Sequence, residues 1–74
     1  MSRLPILKAK EIIKVLHHLG FKNARRSGSH FFFIHPDGRA TTVPYHGNRD
    51  ISRGLLRKII SDIELVPEEF VDLL

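Results

Sequence analysis

FKNARRSGSHFFFIHPDGRATTVP (residues 21–44) is the stretch on which the fold turns. Phe21 to Ser27 reads as a basic strand, and Gly28 or its neighbours make a turn. His30 to His35 is a compact apolar strand that stops at Pro36-Asp37-Gly38, a strong turn signal. Arg39 to Val43 alternates well enough for a third strand, and Pro44, which has no N–H to give a ladder, ends it. Turns this short cannot carry the chain back for a parallel pairing, so the three strands form an antiparallel meander.

Outward from the meander, the flanks have helical spacing. On the N-terminal side Ala9, Ile12, Ile13, Leu16 and Leu19 recur on one face, with Lys8, Lys10, Glu11, Lys14 and His18 on the other, and Gly20 is the stop. On the C-terminal side Ile51, Leu55, Leu56, Ile59, Ile60 and Ile63 form one stripe, capped by Asp50 or Ser52. Gly54 inside that helix costs up to ~1 kcal/mol against alanine, which marks either a close approach or a tolerated surface glycine. Pro67 suits the first position of a terminal turn of helix, with Glu68 and Glu69 at its positive end and Phe70, Leu73 and Leu74 docking it. The expected class is α+β, in the order α-β-β-β-α, with helices on one face of a three-stranded antiparallel sheet and residues 1–74 forming a single domain.

Composition narrows the function. At 74 residues roughly 60% of the unfolded chain's surface can be buried, and with no cysteine neither a disulfide nor a thiolate metal site reinforces the core. No apolar run is long enough for a membrane span or a signal peptide, so the expected location is cytoplasmic. Charge is unevenly spread. Residues 1–58 hold all twelve Lys and Arg against Glu11, Asp37 and Asp50, a net +9, whereas residues 59–74 hold five acids and no base. A basic body of this kind suits a polyanion, nucleic acid before membrane.

Five histidines are available for chemistry. His17 and His18 end a helix, where imidazolium complements the dipole, and His35 meets a turn; all three have structural explanations. His30 and His46 lie where strand meets loop, among arginines and small residues. Zinc is disfavoured by the lack of Cys and of an H-E-x-x-H spacing. Ser29 sits in no nucleophile elbow, carboxylate pairs for glycoside chemistry are missing, and no P-loop pattern is present. RNA remains. Its 2′-hydroxyl is a built-in nucleophile, so cleavage needs a group titrating near neutrality and cations around the phosphate, which Arg25, Arg26, Arg39 and nearby lysines such as Lys22 can supply. Residues alone leave open a nuclease, a non-catalytic double-stranded-RNA-binding module and a small adaptor that binds protein through its basic face.

Taken together, the helix ending "LGF", the segment "GSH", the aromatic strand, "HPDGRATTVPYH" and "ISRGLLRKII" resemble the HicA family of toxin–antitoxin mRNA interferases, from about Ile12 to Phe70. The resemblance implies a fold similar to a double-stranded-RNA-binding domain, ribosome-independent cleavage of mRNA without a cofactor or metal, and a HicB-type antitoxin that blocks the toxin. It singles out His30 of G-S-H as the catalytic group, with Gly28 shaping the turn before it. His46, after "VPY", is a secondary member of the site, and Ser29, Lys22, Arg25, Arg26 and Arg39 are supporting residues. In place of the small polar cap that relatives often have before "EEF", this chain has Val66-Pro67, which questions how the last helix is capped.

Overall fold

The computed structural model describes residues 4–74. Strand β1 (Leu7–Lys8) leads into α1 (Ala9–His18), followed by β2 (Lys22–Ser27), β3 (His30–Ile34), β4 (Ala40–Pro44), β5 (Asp50–Ile51), α2 (Arg53–Asp62) and α3 (Pro67–Asp72). The expected α-β-β-β-α order and the three-stranded antiparallel sheet, in the order β2-β3-β4, are both present. A two-stranded ribbon was not foreseen: β1 pairs with β5, Leu7 opposite Ile51 and Lys8 opposite Asp50.

Helix α1 buries Ala9, Ile12, Val15 and Leu16 and leaves Lys10, Glu11, Lys14, His17 and His18 exposed. It starts with the Lys8 N–H donating to the Glu11 carboxylate at 2.9 Å, which satisfies one of the orphan donors of the first turn. Its end is a Schellman closure. Gly20 sits at φ +98°, its N–H reaches the His17 carbonyl, and the Phe21 N–H reaches the Leu16 carbonyl. Phe21 and Leu16 are both buried, so the stop signal and the first core aromatic are one device.

Both hairpin turns follow from their residues. Gly28 takes φ +58° as the first of the two residues between β2 and β3, the position a tight hairpin reserves for glycine. At the β3–β4 turn the Gly38 N–H donates to the His35 carbonyl, and the His35 N–H donates to the Arg39 carbonyl, both at 2.9 Å. Gly38, at φ +99°, is the left-handed residue that a three-residue loop requires. Because successive side chains alternate faces, β3 turns Phe31 and Phe33 to the helices and His30, Phe32 and Ile34 to the other side. Phe33, its ladder partner Thr41 and the partner of Phe31, Val43, are buried with Ile12, Leu16, Leu56, Ile59, Ile60, Ile63 and Phe70. Thr41, polar in this core, is satisfied by donating to the Asp62 carboxylate at 3.0 Å.

The start of α2 corrects the sequence reading in one respect. Ser52, not Asp50, is the cap, its Oγ accepting from the Leu55 N–H at 3.2 Å, so Ile51 belongs to β5 and not to the helical stripe. Ile51 is nevertheless buried, since strand pairing turns it into the same core. Asp50 instead pairs with Lys8 Nζ at 2.9 Å. Apart from its chain neighbours and its own helix backbone, no atom of the described residues lies within 4 Å of where a Cβ on Gly54 would be, so that glycine marks no close approach. Helix α3 starts on the Val66 N–H, which donates to Glu69 Oε1 at 2.9 Å; a carboxylate reaching back does the capping that valine's side chain cannot.

Candidate functional site

The sheet has one face covered by helices and one face open, and His30 is on the open one. His30 pairs with Ser27 on β2 and Pro44 on β4; two residues further along β3, Phe32 pairs with Arg25 and Thr42. The open face is therefore built in rows, Ser27–His30–Pro44 beside the hairpin turn and Arg25–Phe32–Thr42 next to it. Ile34, in the row after that, is 42% exposed, as an apolar residue on an uncovered sheet face would be.

His46 reaches His30 because of a single backbone contact. After β4 the Tyr45 N–H donates to the Ser29 carbonyl at 2.6 Å, tying the outgoing chain to the β2–β3 turn. Tyr45 then packs on Phe31, ring centroids 5.5 Å apart, on the helix side. Alternation sends the next side chain, His46, to the open side, where its ring lies edge-on to His30 with centroids 6.5 Å apart. Ser29 Oγ is 3.5 Å from His46 Nε2, a long contact at best. Both imidazoles are exposed, and among the described residues no carboxylate bonds to either. Two rings at this separation leave room for one group within hydrogen-bond reach of both.

The cations sort into two kinds. Arg25 lies on the open face with its guanidinium 5.4 Å from the Phe32 ring centre, and no carboxylate partners it among the described residues. Stacking on the ring holds the fork in place and leaves its N–H donors for an anion. Arg26 is on the opposite face, over Phe31 at 5.2 Å, with Nε donating to the Gly28 carbonyl at 3.1 Å; it braces the hairpin turn that carries Ser29 and His30.

Arg39 is engaged elsewhere. It lies beyond Ala40, which pairs with Ile34 at the far end of β3. Its Nε meets Asp37 at 2.8 Å, its Nη1 donates to the Ile63 carbonyl at 2.6 Å, and it covers Phe21 at 5.1 Å. The Arg39 backbone N–H, more than its guanidinium, holds the Asp37 carboxyl below its ordinary value. Lys22 pairs with Ile34, four residues from His30 along β3 or about 13 Å, so it too is outside the cluster. The structure thus gathers Gly28, Ser29, His30 and His46 with Arg25 alongside, and leaves Lys22 and Arg39 apart.

The other histidines are held in structural contacts or on the helix surface. His35 Nδ1 lies 3.1 Å from the Asp37 N–H and 3.0 Å from Asp37 Oδ1, while Nε2 lies 3.1 Å from the Leu19 carbonyl, so the ring ties the β3–β4 turn to the end of α1. His17 sits edge-on to Phe33 at 5.7 Å on the helix side, and His18 is exposed in the last turn of α1. Among the described residues no three His, Asp or Glu side chains converge to hold a metal ion, and no helix is long and apolar enough to cross a membrane.

Beside His46 the open face continues into a cleft of about 320 Å³ lined by Pro44, His46, Arg49, Asp50, Ser52 and Leu55. Sequence reasoning passed over Arg49, since residues 45–50 have no periodicity and read as a plain loop. The one available signal was Gly47-Asn48, a turn pair that brings the next cation back toward the strand end; Gly47 indeed sits at φ +61°.

With this geometry in place, comparison with known proteins gives one decisive match. No curated protein matches the chain. Residues 9–65 match the HicA toxin of bacterial toxin–antitoxin systems, a span that runs from the first residue of α1 to just past α2 and includes the whole sheet and the paired histidines. The chain therefore belongs to the HicA toxin family, the toxin side of a toxin–antitoxin pair.

Proposed function

We propose that this toxin is an mRNA interferase, an endoribonuclease that cleaves mRNA with His30 as the acid–base group and needs no metal. The observation that carries the reading is the exposed His30–His46 pair at a spacing that accommodates one phosphate, with Arg25 held beside it on Phe32. The substrate's own 2′-hydroxyl attacks the adjacent phosphorus. One imidazole removes the 2′-hydroxyl proton as the O–P bond forms, and a protonated group on the other side gives its proton to the departing 5′-oxygen. The products are a 2′,3′-cyclic phosphate and a 5′-hydroxyl. Arg25 stabilises the charge that builds on the non-bridging oxygens. His30 is placed by a ladder on both sides and takes the principal role; His46 supplies the second proton transfer.

The antitoxin in this reading is of the HicB type and inhibits by covering His30. Lys22, Arg25 and Arg49 are exposed without carboxylate partners among the described residues, so an acidic partner surface would be drawn to this side and would associate quickly. Incubating labelled mRNA with purified protein in EDTA tests the function. Fragments ending in cyclic phosphate support it. Salt-dependent binding of intact RNA, with no product, would instead identify a binding module of the double-stranded-RNA type.

A further inference from the structure

We infer that the cleft beside His46 is a nucleotide subsite, which holds the nucleoside next to the scissile phosphate and favours a base carrying an exocyclic amino group. The inference rests on the cleavage reading above and adds to it the residues that select where the cut falls.

Continuity is the first argument. His46 faces His30 on one side and lines the cleft on the other, and Pro44, which also lines it, is the ladder partner of His30. An RNA phosphate between the two imidazoles therefore has its neighbouring nucleoside at the mouth of the cleft. A larger hollow of about 540 Å³ exists between α1 and the C-terminal residues, lined among others by Glu11, His17, Leu73 and Leu74. It borders the helix layer, not the open sheet face, so it has no such continuity.

The lining supplies the second argument, because each part of a nucleotide finds a matching surface. Leu55 and Pro44 are half-buried and give the apolar walls against which a base ring packs. Asp50 spends Oδ1 on Lys8 Nζ at 2.9 Å, while Oδ2 has no partner among the described residues. A carboxylate oxygen only accepts, so it pairs with the amino group of cytosine, adenine or guanine; on uracil the single edge donor, N3–H, is flanked by two carbonyl oxygens that repel the carboxylate. The Lys8 Nζ, also bound to the Asn48 carbonyl at 2.9 Å, fixes the carboxylate in position. Arg49 is exposed and has no carboxylate partner among the described residues, so at the rim it can take the next phosphate. The Ser52 hydroxyl accepts from the Leu55 N–H and keeps its own proton to donate.

The test reads base preference and binding separately. A randomised RNA pool is cleaved and the bases flanking each new 5′-hydroxyl end are counted for the parent, Asp50→Asn and Leu55→Trp, all checked for native fold by circular dichroism. The parent should cut with a roughly tenfold bias against uracil at one flanking position. Asp50→Asn, whose amide can donate to a uracil carbonyl, should erase the bias, and Leu55→Trp, which fills the cleft, should lower cleavage at every site. Flanking profiles identical among the three proteins would overturn the subsite while leaving the cleavage reading intact. Binding is followed by amide NMR with 2′-O-methyl dinucleotides, which have no nucleophile and cannot be cut. Shifts at Arg49, Ser52 and Leu55 that are weaker for the uridine dinucleotide are expected; no shift there overturns the subsite even if the protein proves to cleave no RNA, an outcome that would by itself sink only the cleavage reading.

Discussion

The Tyr45 N–H donates to the Ser29 carbonyl at 2.6 Å, and this bond sets the separation of His30 from His46. Without it the chain would leave the sheet at Pro44 and His46 would belong to a loop with no fixed relation to β3. Tyr45 also anchors its ring on Phe31, so the second imidazole is positioned by a backbone bond and an aromatic contact on the far side of the sheet. The arrangement separates the two faces: core packing on one side, the exposed histidine pair on the other.

If both imidazoles take part in proton transfer, the rate depends on one being neutral and the other protonated. The pH–rate profile of the parent should be bell-shaped, and His46→Ala should lose one limb while retaining slow cleavage, within the ~10²–10⁴-fold that one acid–base group contributes. Steady-state rates across pH 5–9 measure this. A His46→Ala profile of unchanged shape would remove His46 from the chemistry.

Arg25 and Arg39 should behave differently although both are arginines over phenylalanines. Arg25→Ala is expected to weaken RNA binding and lower the salt slope by about 1, as loss of one phosphate contact does, with thermal stability nearly unchanged. Arg39→Ala should leave the salt slope alone. Salt titrations of RNA binding by fluorescence anisotropy separate the two, and equal slope changes would contradict the assignment.

The Arg39 side chain fastens the β3–β4 turn to the end of α2, so its loss acts on stability. Removing its bond to the Ile63 carbonyl and its cover over Phe21 should cost about 1–3 kcal/mol. Acid sensitivity checks the Asp37 side of the same turn. Its carboxyl is depressed below 3.8, so its stabilising contribution is present above that value and fades as pH falls through the lower folded one. Asp37→Asn should flatten that part of the stability–pH curve below 3.8, measured by chemical denaturation at each pH, whereas a curve with unchanged slope would count against the turn's ionic character.

Helix α2 ends with Glu64 in the left-handed region, φ +61°, where its N–H bonds the Ser61 carbonyl and the Leu65 N–H bonds the Ile60 carbonyl. This is the closure that ends α1, but with glutamate where α1 has Gly20. Glu64→Gly removes a left-handed strain of ~1–2 kcal/mol and loses part of that gain through the greater freedom of unfolded glycine. A net gain of about 0.5–1 kcal/mol, or roughly 2–8 °C in Tm, is expected by calorimetry; a lower Tm would contradict the strain.

Much of this fold was legible because its signals are local. Gly20, Gly28 and Gly38 stand where left-handed backbone is needed, and the period changes of residues 9–19, 30–35 and 55–63 mark helix, strand and helix. The β1–β5 ribbon was not legible, since two-residue strands carry no periodicity and Ile51 fits a helical stripe as well as a strand. At the site, Gly28-Ser29-His30 and Arg25 could be placed from the sequence. The separation of Arg39 from His30 is already implicit in the meander, since Arg39 stands opposite His35 at the far end of β3; what could not be read is its bond to the Ile63 carbonyl across the fold. Arg49 was missed for a related reason: its relation to the cleft is made by β5 and the cap of α2, both visible only in three dimensions.

Cleavage of mRNA by purified His30→Ala tests the central claim most directly. The His30 side chain is exposed and makes no hydrogen bond among the described residues, and alanine keeps the backbone ladder, so the variant should keep the parental circular dichroism spectrum and Tm. The account predicts that it binds RNA but produces no cyclic-phosphate fragments. Fragmentation at the parental rate by the folded variant would contradict the assignment of His30 as the group that moves the proton.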